Sequence, residues 1–179
     1  VHDSNGQCLS HEDFLIKPDG FKIPYDSEKI HGISTELADK DGVSLEEVIT
    51  KFKSVLKDCK FICGHNVKFD LNILGAEFYR VESNNPIEGF PVIDTCTEET
   101  ASFCLLPGGR GGRYKLPTLS ELHQSLFNSE FQEAHNATAD VEATSRCLFE
   151  LFRLKIINPE ALINYEDIKI GLSESLTSQ

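Results

Sequence analysis

No apolar run in this chain approaches the length of a bilayer span, and no charged-then-apolar leader opens it. The reading these absences leave is a soluble, cytoplasmic protein that makes no use of a membrane. None of the six cysteines forms a C-x-x-C pair, and no C-x-x-C…H-x-x-x-H arrangement occurs. Cys59 and Cys63 bracket the apolar run KFI, which reads as a strand, so free thiols in a reducing compartment are expected rather than a zinc site. Methionine is absent and residue 1 is Val, which gives the expectation of a chain without its natural start. Basic residues are scarce: 17 Lys and Arg against 29 Asp and Glu leave a net charge of −12. A broad electrostatic nucleic-acid surface would be basic, and that class is disfavoured. An enzyme that grips nucleic acid through divalent ions is not, because such ions reverse the local charge of an acidic site.

What is present suits one domain spanning residues 1–179, with about 166–179 as a frayed tail. At 40% hydrophobic residues the chain can build a core. HDSNGQ (2–7) resembles a hairpin loop turning at Asn5-Gly6, and EDFLIKP (12–18) reads as a strand closed by Pro18-Asp19-Gly20. KIHGIS (29–34) reads as a loop. A helix is expected over 44–58, opened by a Ser44/Glu47 capping box, with Leu45, Val48, Ile49, Phe52, Val55 and Leu56 on one face. KFICG (60–64) follows as a buried strand, then a helix over about 67–82 with Phe69, Ile73, Leu74 and Phe78 inward.

FPVID (90–94) is a second short strand, followed by a helix to Leu106. PGGRGGRYKLP (107–117) is a glycine-rich loop carrying Arg110, Arg113 and Lys115, which reads as solvated or as touching phosphates. Thr118-x-x-Glu121 caps a short helix, and a long helix is expected over about 137–154 with Val141, Thr144, Leu148 and Leu151 inward. Pro159 reads as the first residue of a short terminal helix. Strands first, then alternating helix and strand, indicate an α/β fold with a mixed sheet flanked by helices.

One pattern occurs twice: HNVKFD (65–70) and HNATAD (135–140) both place an aspartate five positions after a histidine. Each aspartate falls about one turn into a helix. For Asp70 that helix follows a buried strand, so the side chain lies toward the strand's carboxyl end, where open α/β sheets place their sites. Ordinary readings stand beside this. Asp70 can be a solvated helix residue, and Asp140 a first-turn carboxylate that complements the helix dipole. Two carboxylates and His135 suit metal-assisted phosphodiester hydrolysis, with His135 taking a proton from the attacking water. Hard oxygen ligands favour Mg2+ or Mn2+. Two aspartates are few for two divalent ions.

KIHGIS (29–34), GHNVKFDLNILGAEF (64–78), VIDT (92–95), LSELHQSLF (119–127) and AHNATADVEAT (134–144) together resemble the DnaQ-like 3′–5′ exonucleases, specifically the DEDDh subgroup. They are similar to the proofreading, epsilon-type subunits of bacterial DNA polymerase III. The resemblance runs from about residue 10 to 154. It implies a ribonuclease H-like fold, two divalent metals with Asp70 and Asp140 as ligands, and His135 as general base. It implies single-stranded or frayed 3′ ends as substrate, nucleoside monophosphates as product, and a DNA polymerase catalytic subunit as a candidate partner.

The resemblance also implies a first motif, Asp-x-Glu, on the first central strand upstream of the hairpin. The sequence is expected to begin just after it and to lack that strand, which would leave the chain inactive as it stands. Asp26-Ser27-Glu28 fits the letters but follows Pro24-Tyr25 rather than a buried strand, and Asp140-Val141-Glu142 reuses Asp140. The family's counterpart of Asp94 orients the turn that follows it. His31 resembles a residue of a loop lining the nucleotide pocket, against a plain turn. Asn66 could contact the terminal nucleotide or only its own turn. His65 reads as a strand-exit residue that holds that turn. The readings that remain are a DNA exonuclease of proofreading type, an RNase T- or oligoribonuclease-like exoribonuclease, and an inactive exonuclease-fold binding module.

Overall fold

A computed structural model describes residues 1–82, 84–129 and 137–158. Its scaffold is a pair of short parallel strands, β1 (Ile62–Gly64) and β2 (Val92–Asp94), registered Ile62 to Val92, Cys63 to Ile93 and Gly64 to Asp94. Parallel strands need a long crossover. Here the crossover contains a fifteen-residue helix, Lys68–Glu82. The helices in chain order are α1 (Tyr25–His31), α2 (Thr35–Asp41), α3 (Leu45–Leu56), α4 (Lys68–Glu82), α5 (Glu98–Cys104), α6 (Leu119–Phe127) and α7 (Ala137–Arg153).

Local chemistry explains most helix starts. Ser34 and Ser44 accept the backbone N–H of Leu37 and Glu47 and so cap α2 and α3. At α6 the full capping box forms: Thr118 accepts from the Glu121 amide at 3.2 Å, and the Glu121 carboxylate accepts from the Thr118 amide at 2.8 Å. Lys115 adds an ion pair to Glu121 at 2.6 Å, so the basic residue nearest α6 is engaged within the protein.

Two apolar clusters hold the layers. One joins α3 and α4 through Ile49, Leu56 and Phe78, with Ile87 from the following loop and Ile62 of β1 packed against them. The other joins α6 and α7 through Leu122, Cys147 and Leu151, with Cys104 of α5 at its edge. Helix α7 packs on β1.

Several expectations change. The strand expected over 12–18 is reduced to a single bridge, Ile16 to Val43, and the hairpin at 2–7 to a bridge between His2 and Cys8. Lys17 donates to Val43 and Val43 to Leu15, and Pro18, which has no N–H, ends the pairing. Lys29–His31 form the last turn of α1 rather than a loop, stopped by Gly32 in the left-handed region at φ 74°. On α4 the inner face is Leu71, Leu74 and Phe78, whereas Phe69 (64% exposed) and Ile73 (50%) face outward. Val141 of α7 is likewise 58% exposed, and Ala143 and Cys147 take the buried positions beside Leu148 and Leu151. In both helices apolar residues read as part of one stripe, Phe69 and Ile73 in α4 and Val141 in α7, stand exposed instead. The expected terminal helix at Pro159 and the tail at 166–179 lie outside the described residues.

Candidate active site

The carboxyl ends of β1 and β2 lie side by side, so Gly64-His65-Asn66 and Asp94-Thr95-Cys96 leave the sheet at one edge. The turn from β1 into α4 is tight. A side chain at Gly64 would stand 2.7 Å from Val67, so only glycine fits the approach of the helix to the strand. Asn66 turns the chain in the left-handed region at φ 56°, a conformation that asparagine tolerates better than most residues.

One carboxylate holds this turn from across the sheet. Asp94 Oδ1 accepts from the Asn66 amide and from the Cys96 amide, each at 2.8 Å, and Oδ2 accepts from the Val67 amide at 3.2 Å. The negative charge also sits at the amino end of α4, where the helix dipole favours it.

A second link runs the other way. His65 Nε2 lies 3.0 Å from the Pro117 carbonyl, which can only accept, so the proton is on Nε2. Burial holds the ring's pKa below its ordinary value, the Pro117 hydrogen bond and Asp94 opposing more weakly. The neutral ring therefore accepts at Nδ1 from the Thr95 hydroxyl, 2.9 Å away. Thr95 is itself fully buried, and its amide donates to Gly64 at 2.9 Å. His65 is thus a turn-holding residue, as the sequence suggests. Its Pro117 partner is a backbone carbonyl with no signal in the sequence.

Asp70 stands exposed in the first turn of α4, directly after this clamped turn. Asp140 stands half-buried in the first turn of α7. Both helices adjoin β1, one by the chain and one by packing. Just before Asp140, the Thr138 hydroxyl donates to Asp13 at 3.1 Å and ties the amino-terminal segment to the start of α7. A cleft of about 240 Å3 opens there, lined among others by His2, His11, Asp13, Val141 and Glu142. His135, the expected general base, lies outside the described residues.

His31 is exposed at the end of α1, and its Nδ1 accepts the Ile33 amide at 3.1 Å, which leaves Nε2–H as the outward donor of the neutral ring. Asn66 is exposed. Asp26 and Glu28 are first-turn residues of α1, an ordinary dipole-complementing position rather than a strand end. Asp94 is committed to three amides. Neither supplies a substitute for a first motif.

Asp70 and Asp140 match magnesium or manganese in donor type. Their two charges offset one divalent ion rather than two. Among the described residues no group of three or more His, Cys, Asp or Glu side chains is placed to hold a metal. The donor set fits in kind and is incomplete in number.

A family model described as Exonuclease matches residues 2–148. The chain belongs to the DnaQ-like 3′–5′ exonuclease family. A DNA polymerase III of PolC type from Staphylococcus saprophyticus is 27% identical over 166 residues, which is 90% of this chain and 10% of the polymerase. Among solved structures, E. coli exonuclease I with a dA16 oligonucleotide superposes at a TM-score of 0.69 and 23% identity, covering 91% of this chain and 36% of that one. A zinc-bound form of the E. coli enzyme with single-stranded DNA superposes at 0.65 and 24% identity over 91% and 36%. At these identities the likeness shows the fold, which is ribonuclease H-like. The chain therefore spans about a third of exonuclease I and about a tenth of the polymerase.

Proposed function

We propose that this domain removes nucleotides one at a time from the 3′ ends of single-stranded DNA, in the service of a replicative polymerase. The observation that carries the reading is the placement of Asp70 and Asp140. Each lies in the first turn of a helix that adjoins β1, and α4 leaves that strand at its carboxyl end. Support for DNA comes from the oligonucleotides held by the exonuclease I neighbours, and support for a polymerase from the PolC-type relative.

In this reading Asp70 and Asp140 hold part of a divalent-metal site, with Mg2+ or Mn2+ as the natural occupant of carboxylate oxygens. A bound ion would neutralise charge at the scissile phosphate. The chain's own groups do the rest. His135 accepts a proton from the attacking water. Asn66 and the Nε2–H of His31 are candidate donors to the terminal nucleotide.

The test follows a 5′-labelled single-stranded DNA oligomer in Mn2+, with the full-length protein beside its His135→Ala variant. A ladder that shortens from the 3′ end and vanishes in the variant is the expected result. Equal ladders from both proteins would remove His135 from the mechanism. Degradation of RNA but not DNA would replace the substrate, and no degradation of either by the full-length protein would leave a binding module.

A further inference from the structure

We propose that Asp94 is a positioning residue for the helix that carries Asp70, acting across the sheet rather than on the turn that follows it alone. The proposal rests on the exonuclease reading for its activity readout and on hydrogen bonds for its geometry. Three amides converge on this one carboxylate, and two of them, at Asn66 and Val67, belong to the other strand's exit. Those two residues are also the first acceptors of α4: Phe69 donates to the Asn66 carbonyl at 3.2 Å and Leu71 to the Val67 carbonyl at 2.9 Å. Asp70 lies between Phe69 and Leu71. The peptides on either side of it are therefore bonded to the residues that Asp94 holds, with no flexible segment between.

His65 anchors the start of the turn through Thr95 and Pro117, and the Asn66 and Val67 amides that lead into α4 are held by Asp94. Asn66 is in the left-handed region and exposed, and Gly64 contributes no side chain. Asp94 spends both oxygens on amides. It has a role fully described by geometry, yet it belongs to neither His-Asn-x-x-x-Asp motif. Outer-shell groups of this kind orient the metal ligands they support.

Asp94→Asn keeps the shape but turns a donor toward an amide that already donates. Calorimetric Mn2+ titration of the full-length protein is expected to show weaker binding, by about ten- to one-hundredfold. The turnover rate is expected to fall by a similar factor and to recover in part at high Mn2+, with KM for a DNA oligomer changed by less than about threefold. Wild-type Mn2+ affinity and turnover in a folded Asp94→Asn protein would overturn the proposal. Should that variant fail to fold, Asp94→Glu retains the charge at the helix end and displaces the oxygens by one methylene, and the same outcomes decide. If the wild-type protein hydrolyses no 3′ end, the exonuclease reading fails while Mn2+ affinity still judges Asp94. If it binds no Mn2+ either, amide exchange at Phe69 and Leu71 decides: faster exchange in the variant supports the proposal, and unchanged exchange overturns it.

Discussion

The Thr95 hydroxyl and the Nδ1 atom of His65 stand 2.9 Å apart, and the opposite nitrogen of the same ring reaches Pro117, so one imidazole joins three segments of the chain. Burial lowers the pKa of this ring from its ordinary value of 6.5. The folded protein thus resists the proton that the unfolded chain accepts. Stability from this source is complete above the ordinary value and is lost as pH falls through the lower, folded one. Urea denaturation between about pH 7.5 and about pH 5 should show that loss. His65→Gln should flatten it. His2, also lowered chiefly by burial, contributes in the same direction, so His2→Asn is the control.

Asp70→Asn should abolish 3′ release while leaving the melting temperature almost unchanged. The side chain is exposed, and surface substitutions away from special features stay within about 0.5 kcal/mol. Asp140→Asn should lose activity equally. It should also lose up to about 1 kcal/mol of stability, because it gives up a first-turn charge. A thermal melt beside a nuclease assay separates the two effects. A large drop in melting temperature for Asp70→Asn would mean that its role is structural.

Gly64→Ala should destabilise the fold by about 1–3 kcal/mol, since its new carbon must displace Val67 in a tight turn. Phe78→Ala should cost more, about 3–5 kcal/mol, for a fully buried ring in the α3–α4 cluster. Denaturant midpoints measure both. Equal stability of Gly64→Ala and wild type would show that the turn can open.

Cys147 should resist thiol reagents until the protein unfolds. It is fully buried between α6 and α7, and desolvation pushes its thiol up to about 12. Exposed Cys8 should react at once. Counting thiols released by a chromogenic disulfide, with and without denaturant, checks this. Rapid labelling of Cys147 in the folded state would mean that the α6–α7 contact opens.

The helices that begin with a hydroxyl and run on an apolar stripe, α3 and α6 above all, were legible from sequence because capping and periodicity are local. So were the strands at 62–64 and 92–94, as short apolar runs with turn residues after them. The inner face of α4 was not, because Phe69 and Ile73 are apolar residues whose exposure is set by neighbours rather than by spacing. Helix α2 was missed for a different reason: Thr35–Asp41 buries only Ala38, so it has almost no stripe to read. The first-turn positions of Asp70 and Asp140 could be read from the doubled motif. The clamp could not, since Asp94 acts through backbone amides, which any sequence supplies.

The bond from His65 to Pro117 spans 52 positions and that to Thr95 spans 30. During synthesis, α4 and its aspartate can form long before these partners exist. The turn that aims the aspartate is completed only after the ribosome has released the chain through Pro117. Until then the nascent chain holds a helix with a candidate ligand whose entry turn lacks its His65 anchor.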